Sequence, residues 1–158
     1  MTRLLLLLFI CFPIYAAELT PKQAYDIFIV AYGQYTGSPE WLKNPPPVNI
    51  TSQEDLCKLV HDDKPTCVVR GLYHNHEVYV LDTLDFSTVI ATAILLHEYI
   101  HYFQELKLGP VQNCGDNLDR EMEAYHIQYN VLKASGEWWE ARRVHATAMK
   151  EKIIRRCE

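Results

Sequence analysis

No glycine or proline interrupts residues 87–108, and the first half of that stretch is apolar on every side. The run Phe86-Ser87-Thr88-Val89-Ile90-Ala91-Thr92-Ala93-Ile94-Leu95-Leu96 passes straight into His97, and Phe103-Gln104-Glu105-Leu106 follows. Ser87 stands where a helix N-cap is wanted, and Gly109-Pro110 is a stop signal. The stretch therefore predicts one helix of about six turns. Apolar residues all round its first half predict burial instead of a solvent-facing position.

His97-Glu98-Tyr99-Ile100-His101 lies in the middle of that helix. Histidines four residues apart on a helix share one face. Burying two imidazoles and a carboxylate is costly unless something satisfies them. Hydrogen-bonded core histidines are one solution, but they leave Glu98 unexplained. One Zn²⁺ held by His97 and His101 is the other, with Glu98 as general base toward a water that the metal activates. The pattern thus points to a metal-dependent hydrolase acting on a peptide or protein substrate.

Catalytic zinc usually has three protein ligands. A second helical stretch, Asp119-Arg120-Glu121-Met122-Glu123-Ala124-Tyr125-His126-Ile127-Gln128-Tyr129, offers Glu121 and Glu123, with Asn117 or Asp119 as cap. The two acids lie about 200° apart around a helix, so both cannot face one metal. Glu121 shares a face with Ala124, Tyr125 and Gln128 by i, i+3, i+4, i+7 spacing and is preferred; Glu123 stays the rival. Small Ala124 lets the two helices approach closely.

His-Glu-x-x-His followed by a glutamate on a second helix resembles the gluzincin group of zinc metallopeptidases. The likeness covers residues 65–135, its specific part being the two helices, and extends to small secreted proteins described as metallopeptidases. It implies a minimal zincin-like domain with one zinc per chain, His97, His101 and Glu121 as ligands and Glu98 as base. Several families of that group place Ala three residues and Asp or Asn four residues after the ligand glutamate. Ala124 matches and Tyr125 departs. The departure removes a partner that would orient a ligand histidine; Gln128, one turn further on, is the substitute to look for. An oxyanion-stabilising group is expected among Tyr99, Tyr102, Tyr125, His126, Tyr129 and His145, with nothing in the spacing to choose between them.

The N-terminus reads as a signal peptide. A positive start at Arg3, an apolar core and Ala16-Ala17 predict cleavage after Ala16 or Ala17, leaving one domain over 18–158 in a secreted or periplasmic location. The apolar core is too short to span a bilayer. The formal charge is −5, becoming −6 once Arg3 is removed, and no basic patch exists, which argues against nucleic acid and anionic membranes as partners. Cys57, Cys67, Cys114 and Cys157 remain after cleavage. An even number in an exported chain predicts two disulfides, with Cys57–Cys67 and Cys114–Cys157 preferred among three connectivities.

Along the chain, Pro21–Tyr35 predicts a helix, 38–47 an extended proline-rich segment and Val48–Ile50 a short strand. Thr51 or Ser52 is then expected to cap a helix through Val60, with Thr51-x-x-Glu54 as a capping box. Thr66–Tyr73 and Glu77–Leu81 predict a hairpin, His74 and His76 being exposed turn residues. One of these strands is expected to border the active-site cleft. A last helix from Glu137 should anchor Trp138 and Trp139 in the core. The whole is α+β, mainly helical with a small sheet. Two other functions fit the same motif: a metal-stabilised binding module without catalysis, and an amidase acting on cell-wall peptide.

Overall fold

A computed structural model describes Gln23, Asp26, 45–60 and 67–154. The predicted signal peptide, most of the Pro21–Tyr35 helix, most of the 38–47 segment and Cys157 lie outside these residues. Three strands and four helices follow in the order β1 (Val48–Thr51), α1 (Gln53–Leu59), β2 (Gly71–His74), β3 (Glu77–Leu81), α2 (Val89–Leu108), α3 (Cys114–Ala134) and α4 (Trp138–Ile154). The fold is a mainly helical α+β arrangement.

α2 is the centre of the molecule. Its middle turns bury Leu95, Tyr99, Ile100 and Phe103 almost completely. The sheet packs on one side, sending Val78 and Val80 into the same cluster, and Ala124 of α3 closes it from the other. Ala93 lies with Leu132 of α3 and Ala141 of α4 in a second cluster. Small residues at these crossings let the helix backbones approach closely. Each large aliphatic or aromatic side chain buried here contributes roughly 1.5–3 kcal/mol, so the motif helix is held by its surroundings more than by its own propensity.

Element ends show local chemistry at work, with corrections of one to several residues. Thr88, not Ser87, caps α2, its side chain accepting from Ala91 N–H; Ser87 instead bonds Asp85. Gly109 ends α2 at φ 79°, a conformation that favours glycine. Ser52, one of the two expected caps, takes the end of α1 by accepting from Asp55 N–H, and its hydroxyl donates to the Asp55 carboxylate, in place of the expected Thr51-based box. α3 starts at Cys114 under an Asn113 cap, ahead of the expected Asn117 or Asp119. The earlier start wins because Asn113 reaches Asp116 N–H.

The sheet order is β1-β3-β2. β2 and β3 form the expected hairpin, but β2 runs only from Gly71 to His74, closed by Asn75 and His76 at φ 51° and 65°. These two left-handed residues make the tight turn that matches strand twist. β1 joins the other side of β3 in parallel, Val48 opposite Val78. No local signal announces a parallel partner, since its crossover connection is set by the whole fold. Cys57–Cys67 is a disulfide, tying α1 to the approach of β2. Cys114 is also disulfide-bonded. No helix among the described residues is long and apolar enough to cross a membrane.

The tryptophans depart from expectation. Trp139 is 81% exposed and Trp138 55% exposed. Arg142 lies over the Trp139 ring and Lys133 over Trp138, so cations cover what the core does not.

Candidate metal centre

The i, i+4 spacing on α2 puts the two imidazoles together, with His97 Nε2 and His101 Nε2 3.1 Å apart. α3 crosses so that Glu121 faces both: one carboxylate oxygen is 3.5 Å from His97 Nε2 and the other 3.6 Å from His101 Nε2. Two donors bound tetrahedrally to zinc at about 2.05 Å lie about 3.4 Å from one another. The separations are of that order, one carboxylate oxygen standing near each histidine, and one ligand atom from each residue lies within 4.8 Å of the others. His97, His101 and Glu121 can therefore hold one metal ion.

Glu123 takes a different place. Its carboxylate accepts from Gln104 Nε2 at 3.0 Å, and the same nitrogen donates to the Arg120 carbonyl at 2.9 Å. Gln104 Oε1 meets His101 Nδ1 at 2.9 Å. The rival ligand thus stands behind the histidine it was expected to compete for. Gln104 was not foreseen, although its i+3 spacing from His101 is a readable signal.

His97 has no such support. Its Nδ1 is buried without a hydrogen-bond partner among the described residues. Tyr125, the residue that departs from the gluzincin pattern, lays its ring against the His97 ring at 4.6 Å between centroids. Gln128 lines the same cavity but bonds neither Nδ1. Two imidazole Nε2 atoms 3.1 Å apart with a carboxylate facing both are a donor set that a cation satisfies better than a hydrogen bond between the rings does.

Glu98 is buried beside the triad and accepts from the Tyr73 backbone N–H. Burial pushes its carboxyl up, outweighing the pull of His97 and His101. Burial alone would raise Glu121 as well, but hydrogen bonds and attraction from His101 and His97 hold it well below the usual carboxylate range. Burial opposes charge on His101, yet its contacts with Glu121 prevail and raise it. Two carboxylates beside the same imidazoles are thereby pushed in opposite directions.

A cavity of about 620 Å³ opens over these groups. β2 forms one wall. Leu81 N–H donates to the Arg70 carbonyl, so Arg70, Leu72 and His74 face β3 in the ladder, and Gly71 and Tyr73 turn their peptide groups to the open edge. Gly71 sits directly against Glu98: a Cβ built there would lie 2.6 Å from Glu98 Oε1 and 2.9 Å from Ile94 Cγ2. Arg70 reaches Glu140 of α4 at 3.6 Å, and Arg143 reaches the other oxygen at 3.3 Å, in the same cavity lining.

Of the aromatic and histidine residues considered for oxyanion stabilisation, Tyr125 alone lines this cavity. Tyr99 is fully buried in the core, Tyr102 packs on Phe103, His126 bonds Asn130 on the surface, and Tyr129 packs on His145. His74 and His76 stand at the hairpin turn, His74 lining the cavity and His76 exposed at 3.5 Å from Glu105, and neither belongs to the cluster of ligand atoms. Comparison of the chain with protein-family models, curated proteins and solved structures gave no match.

Proposed function

We propose that this chain is a secreted zinc-dependent metallopeptidase of gluzincin type. The observation that carries the reading is the meeting of His97, His101 and Glu121 beside buried Glu98, under an open strand edge. His97, His101 and Glu121 hold the zinc. Bound there, zinc supplies Lewis-acid polarisation and makes a water acidic enough to attack near neutral pH. Glu98, buried beside these three residues, would accept a proton from the attacking water and return it to the leaving amine. The Gly71 peptide group and the Tyr73 carbonyl, which face away from β3, orient an extended substrate by strand addition, while the Tyr73 N–H stays on Glu98, and the Arg70–Glu140 pair bounds the cleft toward α4. The Cys57–Cys67 disulfide is compatible with export, and the signal peptide supplies the route.

A metal-stabilised binding module is the second reading. The orphaned His97 Nδ1 and the missing acid or amide at Tyr125 favour it. Hydrolysis of a cell-wall peptide amide uses the same groups and differs only in substrate. Elemental mass spectrometry of the dialysed mature protein tests the centre: about one zinc per chain, lost in His101→Ala and Glu121→Ala, is expected. Digestion of an unbiased peptide library then separates the readings. Cleavage that falls by roughly 10²–10⁴ in Glu98→Gln, with zinc retained, supports the peptidase. Zinc without cleavage of any peptide, cell-wall stems included, moves the assignment to a binding module.

A further inference from the structure

We infer that Gln104 is a positioning residue that fixes the tautomer of His101 and so prepares its Nε2 as a metal ligand. The inference rests on the metal-centre reading of His97, His101 and Glu121 and goes beyond it. Gln104 is 3% exposed, so its amide must find its partners within the protein. Two acceptors, the Arg120 carbonyl and the Glu123 carboxylate, stand around one end of it at 2.9 and 3.0 Å. Only the NH₂ end can face two acceptors, because a flipped amide would set three oxygens against one another. The carbonyl end is thereby turned to His101 Nδ1 at 2.9 Å, where it can only accept. His101 Nδ1 must carry the proton, and Nε2 presents its lone pair to the centre.

The support behind this amide is anchored in turn. Arg120 donates to the Gly109 carbonyl at 2.8 Å and to both oxygens of Asp116 at 2.9 Å. That clamp pins the α2–α3 connection and sets the position of the Arg120 carbonyl beside Glu121. One helix, α3, therefore delivers the third ligand and, through Gln104, the orientation of the second. His97 receives no comparable bond. The centre is thus built asymmetrically, with His101 fixed by hydrogen bonds and His97 by packing against Tyr125.

The test uses metal-free mature protein and zinc alone. A long-range ¹H–¹⁵N spectrum should show His101 as the Nδ1–H tautomer, and chelator competition gives the zinc Kd. Gln104→Leu is expected to weaken zinc binding about 10–100-fold and to release the tautomer. Gln104→Glu sets a carboxylate against Glu123 and the Arg120 carbonyl and should weaken it too. Adding Glu123→Gln to that chain supplies a donor again and should restore most of the lost affinity. This charge-swapped pair is nearly isosteric, so it decides the matter even where Gln104→Leu does not fold. An Nε2–H tautomer at His101, unchanged affinity in both single variants, or a double variant no better than Gln104→Glu alone would overturn the proposal. If the wild type takes no zinc, the metal reading fails by itself, and the spectrum still judges the role of Gln104.

Discussion

Gly71→Ala is the smallest change that separates the base from the metal. Strand β2 passes over α2 at Glu98, and the added methyl would sit 2.6 Å from Glu98 Oε1, 2.9 Å from Ile94 Cγ2 and 3.0 Å from Glu98 Cγ. Ordinary carbon contacts are about 3.5–4.0 Å, so an overlap of about 0.5–1 Å has to be relieved. The carboxylate end can swing, but Ile94 and the Glu98 stem belong to the buried helix, so strand and helix must also part slightly. Overpacking of this kind costs about 1–3 kcal/mol. At about 2–4 °C per kcal/mol for a chain of this size, Tm should fall by about 3–10 °C. Glu98 moves by up to an ångström, and His97, His101 and Glu121 move less, because the atoms nearest the new methyl belong to Glu98 and Ile94. A displacement of that size costs roughly 10²-fold in rate. The assay is a thermal melt, a zinc Kd and peptide turnover on one preparation. Loss of turnover with zinc affinity intact is expected. Unchanged Tm and unchanged turnover would refute the close approach of β2 to Glu98. Zinc affinity lost in step with turnover would refute the separation of base from ligands.

Two further predictions concern the frame. Cys57→Ser with Cys67→Ser opens a loop of sequence separation 10; the chain-entropy estimate is about 3 kcal/mol, or about 5–10 °C in Tm. Zinc affinity should hold, since α1 and the disulfide lie apart from the triad, and a Tm unchanged by the pair of substitutions would contradict the estimate. Asp116→Asn removes the anchor of Arg120. Hydrogen bonds from Arg120 and the Gln112 N–H lower the Asp116 pKa below its ordinary 3.8, so its contribution to stability is present above that value and lost as pH falls through the lower folded one. The Tm difference from wild type should be constant near neutral pH and vanish in strong acid; a difference that persists at pH 2 would assign the effect to something other than the carboxylate.

The gluzincin resemblance directed attention to Glu121, and the shared helical face with Ala124, Tyr125 and Gln128 gave an independent reason to prefer it over Glu123. Shared-face arguments use only the period of a helix. They cannot say which helix the face meets, and so Gln104, three residues past His101, was passed over while its partners remained unknown. The same limit explains Trp138 and Trp139. Their size argues for burial, but they start α4 at the rim of the molecule, where cations and solvent cover them. The parallel β1–β3 pairing was likewise out of reach of local pattern.

What this sequence determines by itself is what depends on neighbours a few residues away. The uninterrupted stretch at 87–108 is a buried helix, His97 and His101 share its face, Gly109 and Gly136 end helices in left-handed conformations, and Glu77–Leu81 is a strand. Only the tertiary structure decides that Glu121 faces both imidazoles while Glu123 holds Gln104 behind one of them. It also decides that Gly71 lies on Glu98 and that the open edge of β2 borders the cavity. The reason is geometric. Period and capping are properties of a single element, whereas the rotation of α3 about its axis and the height of β2 above α2 are set by packing across the whole core.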